Sequence, residues 1–194
     1  MHTIRLPLRA SALLITGLIP GTALAHPGHD AAQGLLAGLA HPLLGLDHLA
    51  TALILGVWTA QRGGQLRFGL PAIFCVALLA GVLAAGVLPV HADAVEQLIA
   101  VSLFALGVLV SFAWRLPAAA SMLLAAAFAA CHGLAHGSEL PAGASLATYG
   151  LGLAATTLAV ALCARTAAPA VLRIDGRPLR WLGAAAACCG LVLL

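Results

Sequence analysis

The sequence has 194 residues, of which 62% are hydrophobic and only 8% are charged, whereas soluble globular domains usually carry about 25% charged residues. This composition excludes an ordinary soluble domain and predicts an integral membrane protein. The formal net charge of +3 comes from nine arginines and no lysine, and it is too small and too dispersed to predict a nucleic-acid-binding surface.

The N-terminal residues have the order of a secretory signal. The stretch MHTIRLPLR is basic, ASALLITGLI is an apolar core, and Ala23-Leu24-Ala25 matches the small-residue pattern of a cleavage site before His26. We therefore predict a cleaved signal peptide over residues 1–25. The alternative interpretation is an uncleaved first helix.

Beyond the signal, six apolar stretches rich in leucine and alanine are long enough, at about 20 residues each, to cross a bilayer as helices. They lack the alternating pattern of an outer-membrane barrel. We predict an all-α, polytopic membrane helix bundle whose six transmembrane helices form one transport domain over residues 26–194. The predicted spans are about 33–60, 67–88, 95–114, 117–136, 142–164 and 179–194.

The positions of the arginines predict the orientation of this bundle. They lie in the first, third and fifth loops between the predicted spans, whereas the second and fourth loops contain acidic residues and no arginine. The positive-inside rule places the arginine-bearing loops in the cytoplasm, so both termini of the mature chain would be periplasmic. Trp58, Trp114 and Trp181 fall at the predicted cytoplasmic ends, where amphipathic rings favour the interface. The predicted location is the bacterial inner membrane.

The first predicted span contains the polar motif HPLLGLDH, which begins at His41. His41 and His48 are seven residues apart and therefore share a helix face. Pro42 disfavours helical geometry at His41 and removes a backbone donor, and Gly45 loosens the next turn. We therefore expect a broken or kinked helix that brings His41, Asp47 and His48 around a common point, as in transporters with sites at mid-membrane depth.

The fourth predicted span ends with a second polar motif, CHGLAHGSE. His132 and His136 are four residues apart, and Glu139 continues the same helix face. At the predicted depths, the two motifs meet in the outer half of the bilayer. Ionisable residues inside a membrane usually face the bundle interior and mark a functional site. Because imidazole and carboxylate ligands suit first-row divalent ions, we predict a site for nickel, cobalt or zinc, with a proton pathway as the alternative.

A third polar group, His26, His29 and Asp30, would lie at the mature N-terminus. After cleavage before His26, the free amine and imidazole of that residue can chelate one ion, with His29 and Asp30 close by. We predict that this group captures metal on the exported face, and the alternative is a solvated tail. The five cysteines form no CxxC pair. Only Cys131 adjoins a motif histidine, His132, and its role as a ligand stays open.

Together, the two membrane motifs resemble those of the HupE/UreJ family of bacterial nickel permeases, and the resemblance extends over the whole mature chain. The family pattern HPxxGxDH is matched by His41, Pro42, Gly45, Asp47 and His48, and the pattern HGxAHGxE by His132, Gly133, Ala135, His136, Gly137 and Glu139. The family often has an aromatic residue where this chain has Cys131. The resemblance implies secondary uptake of Ni²⁺, with Co²⁺ in some members, to supply the maturation of hydrogenase or urease.

The resulting prediction is a permease without enzyme activity and without a prosthetic group, for which the metal ion is cargo. The predicted ligands are His41, Asp47, His48, His132, His136 and Glu139, and the predicted structural residues of the motifs are Pro42, Gly45, Gly133 and Gly137. ATP coupling is not expected, because the sequence has no GxxxxGK[ST] phosphate loop. The alternative function is a zinc-dependent intramembrane hydrolase, which needs a metal site with an open position for water.

The expected partners are a divalent metal ion and the lipid bilayer, without nucleic acid. Several points stay open at the level of the sequence. They are the choice of nickel over cobalt or zinc, the choice of hydrogenase or urease as the pathway, coupling to protons, and assembly into a homo-oligomer.

Overall fold

A computed structural model of the protein describes residues 30–89 and 91–194, and within these ranges all regular structure is α-helical, without strands. The predicted signal peptide, His26 and His29 lie outside the described residues. The helices are α1 (Asp30–Leu44), α2 (Leu46–Arg62), α3 (Leu66–Ala85), α4 (Ala92–Phe112), α5 (Ala118–Ser138), α6 (Leu146–Ile174) and α7 (Arg177–Val192). The prediction of an all-α fold is therefore confirmed for this part of the chain.

Four of these helices, α3 to α6, are long and apolar enough to cross a membrane, which agrees with the prediction of a membrane protein. The first predicted span is instead a bent pair, since α1 and α2 meet at an angle of 80° and together form a broken span or a re-entrant segment. The last predicted span corresponds to α7, whose 16 residues are fewer than the roughly 20 that a bilayer usually needs. The count of six spans therefore stays a prediction.

The expected break in the first predicted span lies at Gly45, one of the two residues, with Pro42, that the sequence marked as irregular. His41 and Pro42 are both within α1, and Gly45 has extended backbone angles of φ −91° and ψ 119°. A Cβ on Gly45 would lie 2.6 Å from Cδ2 of His48 and 3.1 Å from Oδ1 of Asp47. The break needs a glycine because the side chains that follow it fold back over the turn.

Small residues set how closely the helices approach one another. Helix α3 packs along α5, α4 packs along α7, and both α1 and α2 pack against α6. A Cβ on Gly133 of α5 would lie 2.1 Å from the carbonyl oxygen of Leu78 in α3, so only a glycine allows this backbone contact. Gly137, one turn later, packs in the same way against Val82 and Ala85. His132 and His136 each directly precede one of these two glycines in α5, and both are buried in the bundle.

Candidate metal site

Three histidines converge where the α1–α2 break meets the end of α5. His41 lies in the last turn of α1, His48 in the first turn of α2 and His136 in the last turn of α5. Each offers one ring nitrogen, and these three nitrogens all lie within 4.8 Å of one another. The bend at Gly45 makes this possible, because a straight helix would hold His41 and His48 two turns apart.

The spacing of the three rings is close to that of a metal site. The ring centroids are 4.2 Å apart for His48 and His136, 4.7 Å for His41 and His136, and 5.4 Å for His41 and His48. Two nitrogens that share one first-row ion in a tetrahedral site, at about 2.1 Å each, are about 3.4 Å apart. The nitrogens of the cluster would therefore have to approach one another by up to about 1.4 Å to bind such an ion.

Glu139 connects α1 to α5 at the edge of the cluster. Its Oε2 lies 3.2 Å from Nε2 of His41 and 3.8 Å from Nδ1 of His136, and half of its side chain is exposed. Contacts with His136 and then with His41 hold the pKa of the Glu139 carboxyl well below its usual range. Glu139 is therefore ionised at neutral pH, and it places a negative charge beside two imidazoles.

Asp47 is the second carboxylate of the cluster. Its Oδ2 lies 3.7 Å from Nε2 of His48, too far for a hydrogen bond but close enough for electrostatic attraction. Carboxylates beside metal-binding imidazoles commonly orient the rings and raise their basicity. Asp47 thus stands beside the imidazole of α2, and Glu139 beside those of α1 and α5.

His132 lies beside the cluster, but it is not one of the three histidines that converge. Its ring centroid is 5.7 Å from that of His48, and its Nε2 is 2.9 Å from Oγ of Ser102 in α4. The Ser102 hydroxyl donates its single proton to the carbonyl oxygen of Ile99 at 2.7 Å, so it accepts a hydrogen bond from His132. His132 then carries its proton on Nε2, and its unprotonated nitrogen is Nδ1.

A cavity of about 210 Å³ leads to the cluster from the side on which α4 begins and α5 ends. Three carboxylates line it, those of Asp47, Glu96 and Glu139, together with the imidazole of His48. The remaining lining residues are apolar side chains of α4, α5 and the C-terminus. A cavity with this lining concentrates cations, because carboxylates on low-dielectric walls attract positive charge.

Sequence reasoning missed three residues of this site, namely Glu96, Ser102 and Tyr149. Tyr149 of α6 is 1% exposed, its ring centroid is 6.1 Å from that of His41, and its hydroxyl has no hydrogen-bond partner among the described residues. Each residue gave a weak signal, because Tyr149 is the only tyrosine and Glu96 and Ser102 interrupt an apolar stretch. None of them belongs to a motif, so only the packing of the helices brings them to the site.

The other predicted residues lie elsewhere. Cys131 is partly buried and is not part of the three-histidine group, so nothing in the geometry makes its thiol a ligand. Asp30 is the first residue of α1, and its predicted partners in metal capture, His26 and His29, lie outside the described residues. The capture of metal at the N-terminus stays a prediction.

Apolar helices of membrane-spanning length around a partly buried group of imidazoles and carboxylates define a class, the polytopic membrane proteins that handle cations. Within that class, the chain belongs to the HupE/UreJ family, since the family model described as HupE / UreJ protein matches residues 13–193. The chain is also 35% identical over 143 residues to Protein HupE of Rhizobium leguminosarum bv. viciae, covering 72% of each sequence. No solved structure matches the chain.

These comparisons confirm the resemblance inferred from the two motifs. The family is associated with nickel or cobalt transport for hydrogenase and urease, and its members are transporters and accessory proteins. The comparisons give no support to the alternative of a zinc-dependent intramembrane hydrolase.

Proposed function

We propose that the protein is a secondary transporter that takes up Ni²⁺, and also Co²⁺, across the bacterial inner membrane to supply hydrogenase or urease maturation. The observation that carries the proposal is the convergence of His41, His48 and His136, whose nitrogens lie within 4.8 Å of one another inside an apolar bundle. Membership of the HupE/UreJ family supports the same conclusion.

The chemistry of the cluster favours first-row transition ions as cargo. Three imidazoles dominate the donor set, and imidazole suits Ni²⁺, Co²⁺ and Zn²⁺, whereas Mg²⁺ and Ca²⁺ prefer oxygen ligands. The charges of Asp47 and Glu139 offset that of the ion, which lowers the free-energy cost of moving it out of water. The ligands are the six predicted residues, with His132 contributing through Nδ1 after a small rearrangement.

In this proposal, the cavity lined by the three carboxylates is the entrance for the ion. A hydrated ion reaches the carboxylates of Asp47, Glu96 and Glu139 and then exchanges water for imidazole nitrogens. His26, His29 and Asp30 collect the ion on the exported side before this step. The signal peptide is cleaved before His26, which creates the free amine of that capture group.

Orientation and driving force follow from the distribution of charge. The carboxylates of the cavity lie at the periplasmic end, and the arginine-bearing loops lie in the cytoplasm. The chain crosses the membrane six times, and both termini of the mature protein are periplasmic. An inside-negative membrane potential then drives a divalent cation inward by about 4.6 kcal/mol per 100 mV.

Uptake into proteoliposomes tests the proposal. The purified protein should carry Ni²⁺ into vesicles under an imposed inside-negative potential, and collapse of the potential should slow uptake. His48→Ala should lower uptake at least about tenfold, because losing even a group that only orients a metal ligand usually costs that much. The matched control is His91→Ala, because His91 is an exposed histidine at the start of α4 and outside the cluster. Full uptake by His48→Ala at normal protein levels would reject this site.

A further inference from the structure

Buried polar atoms without partners extend from the site along α2. Seven buried side-chain nitrogen or oxygen atoms of the described residues have no hydrogen-bond partner. Three of them belong to the cluster and its surroundings, in His48, His136 and Tyr149. The other four all belong to α2, in Thr51, Trp58, Gln61 and Arg62.

Thr51, Trp58 and Arg62 lie on the same side of α2 as His48, and Gln61 lies beside that side, one turn after Trp58. Starting from His48, Thr51 follows at three residues, Trp58 at ten and Arg62 at fourteen, which are spacings that keep side chains on the same face. The series extends roughly 21 Å from the cluster to the opposite end of α2. Thr51 is 1% exposed and Trp58 is fully buried, so neither is satisfied by bulk water.

A buried polar atom without a partner costs about 1–3 kcal/mol, and each case in a native structure calls for an explanation such as water or an ion. Chance does not account well for a series that begins at the cluster and continues along a single helix face. Leu55 is the exception on this face, because it is an apolar side chain, 1% exposed, that lies between Thr51 and Trp58. The polar series is therefore interrupted once.

We propose that this face of α2 is the exit route of the transported ion and that Leu55 closes it in the state described here. The inference rests on the proposed function and extends it from the binding site to the cytoplasmic side. The Thr51 hydroxyl and the Gln61 side-chain oxygen accept hydrogen bonds from water around the ion, and the Trp58 N–H donates one. Arg62 ends the route with a positive charge that repels the cation, so the ion is held weakly there and is released.

The first experiment changes Thr51 and measures two quantities, Ni²⁺ binding in detergent and Ni²⁺ uptake into proteoliposomes. Thr51→Val keeps the shape of the side chain and removes the hydroxyl, and it should lower uptake about tenfold with binding unchanged. Thr51→Ser should restore uptake. The control is Thr166→Val, because the Thr166 hydroxyl donates to the Cys163 carbonyl on the exposed side of α6.

A second experiment removes the apolar side chain from the route. Leu55→Ala should raise the rate of uptake several-fold with binding unchanged, and a gain of this kind cannot result from misfolding. Trp58→Phe should lower uptake, whereas Trp114→Phe should not, because Trp114 is exposed at the end of α4.

The results separate the exit route from the proposed function. If the wild-type protein neither binds nor transports Ni²⁺, the proposed function is wrong. If the wild-type protein transports Ni²⁺ but Thr51→Val does so equally well, or if Leu55→Ala does not raise uptake, the exit route is wrong. Loss of binding in Thr51→Val would place Thr51 in the binding site and would also reject the route.

Discussion

Ser102 and His132 form a buried hydrogen bond between α4 and α5, with Oγ and Nε2 2.9 Å apart. The serine proton is already donated to the Ile99 carbonyl, which fixes the direction of this bond. Ser102 therefore sets which nitrogen of His132 is available for an ion. Glutamine at position 132 can keep an N–H near the place of Nε2 but has no equivalent of Nδ1.

His132→Gln should therefore retain the hydrogen bond to Ser102 and lose Nδ1, the nitrogen that is available to bind the ion. We expect normal protein levels and thermal stability, with Ni²⁺ uptake lowered at least about tenfold. His132→Ala should in addition lower stability, since it leaves a cavity and removes the bond between the helices. Wild-type uptake by His132→Gln would mean that His132 serves only to connect α4 and α5.

Glu139→Gln tests the charge at the edge of the cluster. The substitution keeps the size of the side chain and an oxygen that can contact His41, but it removes the negative charge. We expect Ni²⁺ affinity to fall about 10- to 100-fold, as for other carboxylates beside metal-binding imidazoles. Asp93→Asn is the control, because Asp93 carries the same charge in an exposed position in the first turn of α4 and does not line the cavity. Equal affinities for the two variants in a binding titration would contradict a specific role of Glu139.

Gly45→Ala tests the break between α1 and α2. The new Cβ would lie 2.6 Å from the His48 ring, and alanine also favours a continuous helix by about 1 kcal/mol relative to glycine. We expect the protein to fold and to reach the membrane, but with uptake reduced at least about tenfold because His48 is displaced. Gly176→Ala is a suitable control, since a Cβ there would make only an ordinary contact of 3.6 Å with Leu172. Uptake at the wild-type rate in Gly45→Ala would show that the cluster does not depend on this turn.

The pH dependence of uptake tests whether neutral imidazoles hold the ion. A protonated imidazole cannot bind metal, so protons compete with Ni²⁺, and uptake should decline as the external pH falls below neutral. Glu139 does not cause this decline, because its lowered pKa keeps it ionised over that range. The measurement is initial uptake into proteoliposomes with the internal pH and the membrane potential held constant. A rate that stays constant down to the lowest pH at which the vesicles remain intact would argue against imidazole ligands.

The length and composition of the apolar stretches predicted much of the fold. The predicted spans 67–88 and 117–136 agree closely with α3 and α5, which are Leu66–Ala85 and Ala118–Ser138. Helix α6 is longer than its predicted span of 142–164, since it continues to Ile174. The extra turns contain arginines, so the apolar stretch of the sequence ends before the helix does.

The candidate site was predictable as far as local spacing decides it. The i, i+3 relation of His136 and Glu139 follows from the helix alone, and their side chains are in contact. The partner of His132 could not be predicted in this way, because it depends on how α4 packs against α5. A single serine in an apolar stretch does not indicate which helix it will contact. The sequence marked both Pro42 and Gly45 as points of irregularity and could not choose between them, whereas the structure has Pro42 within α1 and the break at Gly45, where the following side chains leave no room for a Cβ.

The angle between α1 and α2 has a further consequence for affinity. His41 is four residues from Gly45, so it lies roughly 6 Å from the pivot. A rotation of α1 by about 15° around that pivot moves the His41 ring by about 1.5 Å, which is comparable with the approach of the nitrogens that a tetrahedral site requires. Under the proposed function, the affinity of the cluster for its ion can therefore be raised or lowered by a small tilt of one short helix, with no change in the ligands themselves.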